Sequence, residues 1–357
     1  MEVDASVESN MSSRQTVEAY LREALRKTEE TDTFSLRLKK EKIFEGKKSL
    51  LEHKSRIHCG IVAHPRNPYL GMKSLGRYDF DTVRLNEVGI SVEDLARTAY
   101  DILILNNNSL RLVGQKDRFL SEALPSTIVV IHDWDCHHWF EQSLSCALNA
   151  DIYLQAHQWT SPLLPRIMPH PIHSLAIGFI QWSEEFIESR IRNLETSKRS
   201  DSPFGKYFFY PHAVLRNRIV ATFSQHYGTV GWADAEYHSR SEGEKWEEWS
   251  GFKIHIVCPV ACDLPIRFFD ALISGGIPCV PIELARQVED LGLPENFYRI
   301  YTSHDLVNLK NFVDNASDFF DAAGQIGMIE RSIHTFRNYS PTVTMARICD
   351  LALRLLG

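Results

Sequence analysis

The sequence predicts an α/β protein of two Rossmann-like domains facing a cleft, preceded by a helical extension. Three observations carry this expectation. From residue 57 onward, short runs rich in Ile, Val and Leu recur without alternation, separated by stretches of helical periodicity. Such runs are strands buried on both faces, and strands alternating with helices make right-handed βαβ units on a parallel sheet. The alternation stops in a charged, Ser/Asp/Pro/Gly-containing stretch at 184–205 and then restarts. A length of 357 residues also exceeds one core, at roughly 100–200 residues per domain.

Taken in order, residues 1–55 form a charged helical extension. Residues 1–57 hold 23 charged residues and no proline. Val17, Tyr20, Leu21 and Leu25 recur at helical intervals, which makes an amphipathic surface helix packed on the body, on a partner or on a second copy. The first Rossmann-like domain spans 56–183, with strands at 57–63, 101–106, 127–132, 151–156 and 173–179 and helices at 91–100 and 138–150. Residues 184–205 read as a linker. The second domain spans 206–340, with strands at 206–210, 252–258, 277–282 and 298–301, and a C-terminal helix occupies 341–357. A cleft between two such domains is the default ligand site.

Composition closes off several classes. Lys+Arg 39 against Asp+Glu 46 gives a net charge of −7, which argues against a nucleic-acid binder. No apolar run reaches the roughly 20 residues of a spanning helix, and the polar, acidic N-terminus has no secretory signal. Seven scattered cysteines without a CxxC pair fit reduced thiols in a cytoplasmic protein, with peripheral attachment to a membrane as the other option. No GxGxxG, P-loop, Gly-x-Ser-x-Gly elbow or kinase set is present.

Residues 251–283 are the most informative segment and read as one βαβ unit. Asp263 is placed to cap a helix with Pro265 in its first turn, and Gly275-Gly276 ends it. Arg267, Asp270 and Ser274 share one stripe beside the core-facing Ile266, Phe269 and Ile273. A free helix N-terminus plus the forked cation of Arg267 suits a phosphate or diphosphate, and Asp270 suits ribose hydroxyls. An ordinary exposed helix with an Arg–Asp pair explains the same spacing.

The run Arg267-Phe268-Phe269-Asp270-Ala271-Leu272, followed by Gly275-Gly276-Ile277-Pro278-Cys279-Val280, resembles the donor-nucleotide segment of GT-B-type glycosyltransferases. Exostosin-like enzymes are the nearest in pattern, and α-1,3-fucosyltransferases have a similar run with Lys where Arg267 stands. The resemblance implies a GT-B fold and a nucleotide-sugar donor, with Arg267 on the diphosphate and Asp270 near the ribose. One departure is plain: Val257-Cys258-Pro259-Val260-Ala261-Cys262 precedes the helix, where those families carry polar residues.

A second constellation, His132, Asp133, Asp135, His137 and His138, follows a buried strand, where ligands bind in open α/β sheets. Three readings stay open. His132 or Asp133 takes the proton of an acceptor hydroxyl, with Asp135, His137 and His138 binding that acceptor. Alternatively, the Asp-Trp-Asp holds a divalent cation, as in the GT-A glycosyltransferase fold, or the His/Asp mixture holds zinc or iron for hydrolysis. Finally, an aspartate caps the helix that begins near 137. A pair His-Asp after the corresponding strand is also found in retaining GT-B enzymes, a looser resemblance confined to His132-Asp133.

Weaker signals complete the set. His64, in His-Pro-Arg-Asn-Pro after the first strand, is an acceptor-facing candidate or part of a turn. Arg216 and Arg218, after the first strand of the second domain, are further donor-phosphate cations or a solvated helix face. The acidic, Trp-bearing 242–249 reads as a surface helix, with sugar stacking as the lesser option, and Asn106–Asn108 as a turn. The expected activity is sugar transfer from a nucleotide-sugar donor to a glycan or glycolipid hydroxyl, without a cofactor and without a required metal. A metal-dependent transferase or hydrolase and a non-catalytic glycan- or nucleotide-binding module are the alternatives.

Overall fold

The computed structural model describes residues 32–51, 53–63, 74–84, 90–111, 113–114, 118–136, 140–157, 164–175, 181–194, 198–234, 236–261 and 263–356. The helix expected around Val17–Leu25 and the candidates His64, His137 and His138 lie outside them. The chain divides into a first unit, Ala19–Ile177 with Pro341–Gly357, and a second unit, Gly178–Ser340 together with the N-terminal Met1–Glu18.

The first unit opens with helix α1 (Thr33–Lys48), then strands β1 (Ile57–Ala63), β2 (Tyr78–Arg84) and β3 (Ile90–Ser91) and helix α2 (Val92–Thr98). Strand β4 (Ile102–Asn106), the short helix α3 (Asn107–Leu110) and strand β5 (Val113–Gly114) follow. Then come α4 (Leu120–Ala123), β6 (Ile128–Asp133), α5 (Phe140–Asn149), β7 (Ile152–Gln155), α6 (Leu164–Ile167) and β8 (His173–Ser174). Six strands form one sheet in the order β2-β1-β4-β6-β7-β8, every neighbour parallel.

Strand periodicity divides the apolar residues between two layers. Ile57, Cys59, Ile61, Ile102, Ile104, Ile128, Val130, Ile152 and Leu154 belong to one core cluster. Val62, Leu103, Leu105, Val129, Ile131 and Tyr153 belong to the other. The first cluster is closed by Met345, Ala346, Ile348, Cys349 and Ala352, so the C-terminal helix belongs with the first unit. Helix α1 is anchored rather than free. Lys47 Nζ reaches Asp151 Oδ2 and the Ser121 carbonyl, both at 2.6 Å, and Lys40 Nζ donates to the Ala150 carbonyl at 2.5 Å. Burial pushes the Lys40 ammonium down to about 8.

The second unit contains α7 (Glu184–Ile191), β9 (Gly205–Tyr207), α8 (Val214–Ser224), β10 (Val230–Trp232), α9 (Glu242–Ser250) and β11 (Ile254–Ile256). It continues through α10 (Ile266–Ile273), β12 (Ile277–Pro281), α11 (Ala285–Glu289), β13 (Arg299–Tyr301), α12 (Ser303–Val307) and α13 (Leu309–Tyr339), and α14 (Pro341–Leu356) follows it in the chain. Strands β10-β9 and β11-β12-β13 are parallel, and a parallel bridge from Phe204 to His255 joins the two sets. Each unit is therefore a Rossmann-like layer of parallel strands covered by helices.

One expectation changes here, and one lesser option is set aside. Residues 184–205 are not a linker: Ile187 and Leu194 are buried, and the Arg199 guanidinium donates to the Phe252 carbonyl at 3.0 Å. The acidic 242–249 stretch is not a sugar platform, because Trp246 and Trp249 are buried edge-on against Trp182 at 5.3 and 6.3 Å. A capping box between Ser241 and Glu244 starts that helix. No helix among the described residues is long and apolar enough to cross a membrane.

The layer under α10 leaves no spare volume. The His255 imidazole stacks on Trp249 at 5.0 Å and 6°, and a Cβ on Gly276 would lie 2.4 Å from the same ring. Gly276→Ala is expected to lower stability by about 1–3 kcal/mol, read as a lower melting temperature. An unchanged melting point would show that the ring moves aside without cost.

Candidate functional site

The donor-side residues gather where strands β9 and β11 end. Tyr207 closes β9, and its hydroxyl donates to the Ile256 carbonyl, which fixes the ring. Two guanidinium groups pack on that ring: Arg267 at 5.0 Å and Arg216 at 5.4 Å. Arg267, from the first turn of α10, also donates through Nε to the Lys206 carbonyl at 3.0 Å. Arg216, from the first turn of α8, lies over Tyr210 at 5.5 Å and reaches the Cys258 carbonyl at 3.3 Å. Arg216 is 3% exposed, and its Nε has no hydrogen-bond partner among the described residues. Burial pushes its pKa down, and the neighbouring Arg267 adds to this while Asp263 opposes it. Arg218, on the same helix, is exposed.

Asp263 does not cap α10. Pro265 takes the cap position in an extended conformation with no side-chain cap bond. The Asp263 carboxylate turns back instead and accepts from the amides of Val260 and Ala261 at 2.5 and 2.9 Å. This closes the apolar 257–263 loop and leaves the first amides of α10 without a capping side chain.

The far end of α10 is held firmly. Gly275, at φ +80°, allows a left-handed terminus, and the amides of Gly275 and Gly276 return to the Leu272 and Ala271 carbonyls. Arg199 donates to the Ser274 carbonyl at 2.5 Å, and Arg331 donates twice to the Gly275 carbonyl at 2.9 and 3.1 Å. Buried cations at a helix C-terminus offset its partial negative charge.

Asp270 is fully buried, not on an exposed stripe. Its Oδ2 accepts from the Gln181 amide, and its Oδ1 has no partner among the described residues. Burial pushes the carboxyl up to about 7, against smaller opposing effects of Gln181 and Arg267. A raised folded-state value means that the folded protein holds this proton more tightly than the unfolded chain. Its contribution is therefore favourable at low pH and lost as pH rises toward 7 and above. Asp270→Asn is expected to gain stability relative to the wild type between pH 5 and 8. Melting curves that run parallel over this range would refute the elevated value.

In the first unit, the strand-end residues form a closed network. The Trp134 indole donates to His132 Nδ1 at 3.2 Å, so His132 Nε2 carries the hydrogen that reaches the Leu175 carbonyl at 3.1 Å. His132 is 1% exposed, and burial holds it neutral, with a pKa near 4. Asp133 is completely buried; Oδ2 accepts from Ser143 at 2.6 Å and Tyr153 at 2.9 Å, and Oδ1 from the Asp135 amide at 3.1 Å. Burial raises its carboxyl to about 6. The expected proton acceptors thus present neither an open ring nitrogen nor an exposed carboxylate oxygen. The residues just before Phe140, where a cap of α5 would lie, are outside the described ones, and the Asp133 oxygens are taken up by Ser143, Tyr153 and the Asp135 amide.

Asp135, half-buried, accepts from Asn107 Nδ2 at 2.6 Å, and Asn107 Oδ1 accepts the Trp134 amide at 3.1 Å. Asn106 caps α3 through its bond to the Ser109 amide. Among the described residues, no three His, Cys, Asp or Glu side chains are placed to share a metal ion. Tyr207, Gln181, Ser143 and Tyr153 carry no motif of their own. Only a strand-terminal aromatic before an Arg-bearing helix marks the first of them.

No family model matches the chain, and no curated protein matches it. Among solved structures, it is similar to HepE from Anabaena in complex with UDP-glucose, at 8% identity over 83% of this chain and 99% of that one, with a TM-score of 0.47. It is also similar to sucrose-phosphate synthase from Thermosynechococcus elongatus, at 12% identity over 84% and 99%, with a TM-score of 0.43. The fold assignment rests on the strand order and register described above.

Proposed function

We propose that the chain is a GT-B-type glycosyltransferase that moves a sugar from a nucleotide-sugar donor to a hydroxyl of a glycan or glycolipid acceptor. One observation carries this reading: two guanidinium groups share the Tyr207 ring at the carboxyl ends of parallel strands, next to the uncapped start of α10. Two adjacent cations repel unless an anion joins them, and a diphosphate meets both at once.

In the reaction, the acceptor oxygen forms a bond to the anomeric carbon while the bond to the diphosphate oxygen breaks. Negative charge grows on the leaving diphosphate, and Arg216, Arg267 and the α10 amides stabilise it where it develops. The charge these groups supply is the charge a divalent cation would otherwise bring. Asp270 Oδ1 accepts from a ribose hydroxyl, and binding then favours the ionised carboxylate. Arg218, exposed on α8, is proposed to steer the anion inward, and Asp263 to hold the loop that admits it. On the acceptor side, His132 and Asp133 fix the strand-end loop, and the Asp135 carboxylate takes the proton that the acceptor hydroxyl loses as the new bond forms; His64, His137 and His138 remain acceptor-side candidates.

A thermal-shift screen of UDP, GDP, CMP and dTDP tests the donor reading. One nucleotide should raise the melting temperature by mass action. Because binding ionises Asp270, its affinity should rise from pH 6 to 8. A flat response to all four sinks the proposal.

A further inference from the structure

We propose that a second anion site, for a phosphate-bearing ligand, lies in the first unit between the turn before β2 and helix α14. A pocket of about 480 Å³ is lined there by Arg77, Arg347, Asp350, Leu353 and Arg354. That volume falls among small-molecule sites, which run from roughly 300 to 1,000 Å³. Among the described residues, the lining holds the guanidiniums of Arg77 and Arg354 against one carboxylate, with Arg347 beside them, in a chain whose net charge is −7.

The elements that carry these groups are fixed. Arg77 sits in a tight turn closed by paired bonds between Leu75 and Tyr78, at 3.0 and 3.1 Å, with Gly76 at φ +59°. Its guanidinium lies 5.6 Å over the Tyr78 ring. The Tyr78 hydroxyl in turn donates to the Asp350 carboxylate, so the pocket's one acid is already engaged. Arg347, Asp350 and Arg354 follow at i, i+3 and i+7 on α14, which puts them on one stripe. The nearby Asp79 is tied to Arg56. Arg354 also extends its field to β8: the His173 imidazole is held below its ordinary value by burial, then by His170 and Arg354.

A phosphate monoester carries close to two negative charges and three acceptor oxygens. Guanidinium forks match it bidentately, and Leu353 gives its organic substituent an apolar wall. The same chemistry is offered by a soluble phosphate and by an anionic lipid headgroup. This site does not depend on the donor reading, because Arg216 and Arg267 belong to the other unit.

The test uses the full chain, a double charge reversal, Arg77→Glu with Arg354→Glu, and a charge-matched control, Lys42→Glu with Arg118→Glu. All four positions are exposed, so the fold is retained. The probes are inorganic phosphate, read by thermal shift, and vesicles of phosphatidylcholine with or without phosphatidic acid, read by co-sedimentation. Wild type and control should respond to at least one probe, and the double reversal should bind about tenfold more weakly or worse. A response to phosphate alone identifies a soluble ligand, and a response only to phosphatidic acid identifies a headgroup. Absence of both responses, equal binding by the double reversal, or an equal loss in the control overturns the site. A phosphate response that survives the double reversal but vanishes in Arg216→Ala with Arg267→Ala belongs to the donor pair, and also overturns it.

Discussion

Arg216→Ala combined with Arg267→Ala is expected to reduce sugar transfer by about two to four orders of magnitude. On the proposed donor reading, each guanidinium would supply a charged hydrogen bond worth about 1.5–3 kcal/mol to a phosphate, or roughly ten- to a hundredfold in rate. Both bonds would strengthen as the diphosphate leaves, so the loss is expected in kcat as well as in donor affinity. The fold tolerates the change at Arg267, which is half-buried on the edge of α10. Arg216 is buried against Tyr207 and Tyr210, so its removal leaves a gap and some loss of melting temperature. Arg267→Lys separates charge from geometry: it keeps the cation but loses the fork and the stacked plane. Near wild-type kcat/KM in the double variant would return both residues to a purely packing role.

Ending the chain at Ser340 is expected to unfold the first unit while the second keeps its own transition. Met345, Ile348, Cys349 and Ala352 are at most 1% exposed and belong to the core cluster on one face of the six-stranded sheet. Burying a large apolar side chain is worth about 1.5–3 kcal/mol, and a whole domain is stable by only about 5–15 kcal/mol. Losing the helix also bares Ile57, Ile61, Ile102 and Ile128 beneath it. Calorimetry should show the first unit's transition vanish, and a peptide of residues 341–357 added in trans should restore part of it. A truncated chain that melts like the full one would mean the sheet face is covered otherwise.

Most strand positions are legible because parallel strands buried on both faces leave continuous apolar runs, as at 102–106 and 128–133, whereas the order of the strands in the sheet is not. Strand β2 is not legible either, since Tyr78-Asp-Phe-Asp-Thr-Val-Arg alternates polar and apolar at the sheet edge. The donor helix is legible from its glycine stop and its apolar content, but not its surroundings. Asp270 and Ser274 look like an exposed stripe, yet α10 is covered on nearly every side and both are fully buried. Asp263 has the sequence of a cap, but Pro265 already holds the extended cap position, so the carboxylate turns to the amides behind it. The strand-end loop shows the same limit. Its five ionisable residues signal chemistry, but Ser143 and Tyr153, which consume Asp133, come from α5 and β7, beyond the motif.

The placement of α14 in the first unit sets the order in which the protein can be finished during synthesis. The first unit's sheet leaves the ribosome early, but its closing helix follows the whole of the second unit in the chain. At about 5–20 residues per second, the face bearing Ile57 and Ile128 waits on the order of ten to thirty seconds for its cover. Throughout that interval it is an exposed apolar surface with the character of a chaperone client. The described strands and helices of the second unit, α7 to α13, are contiguous in the chain and emerge before α14.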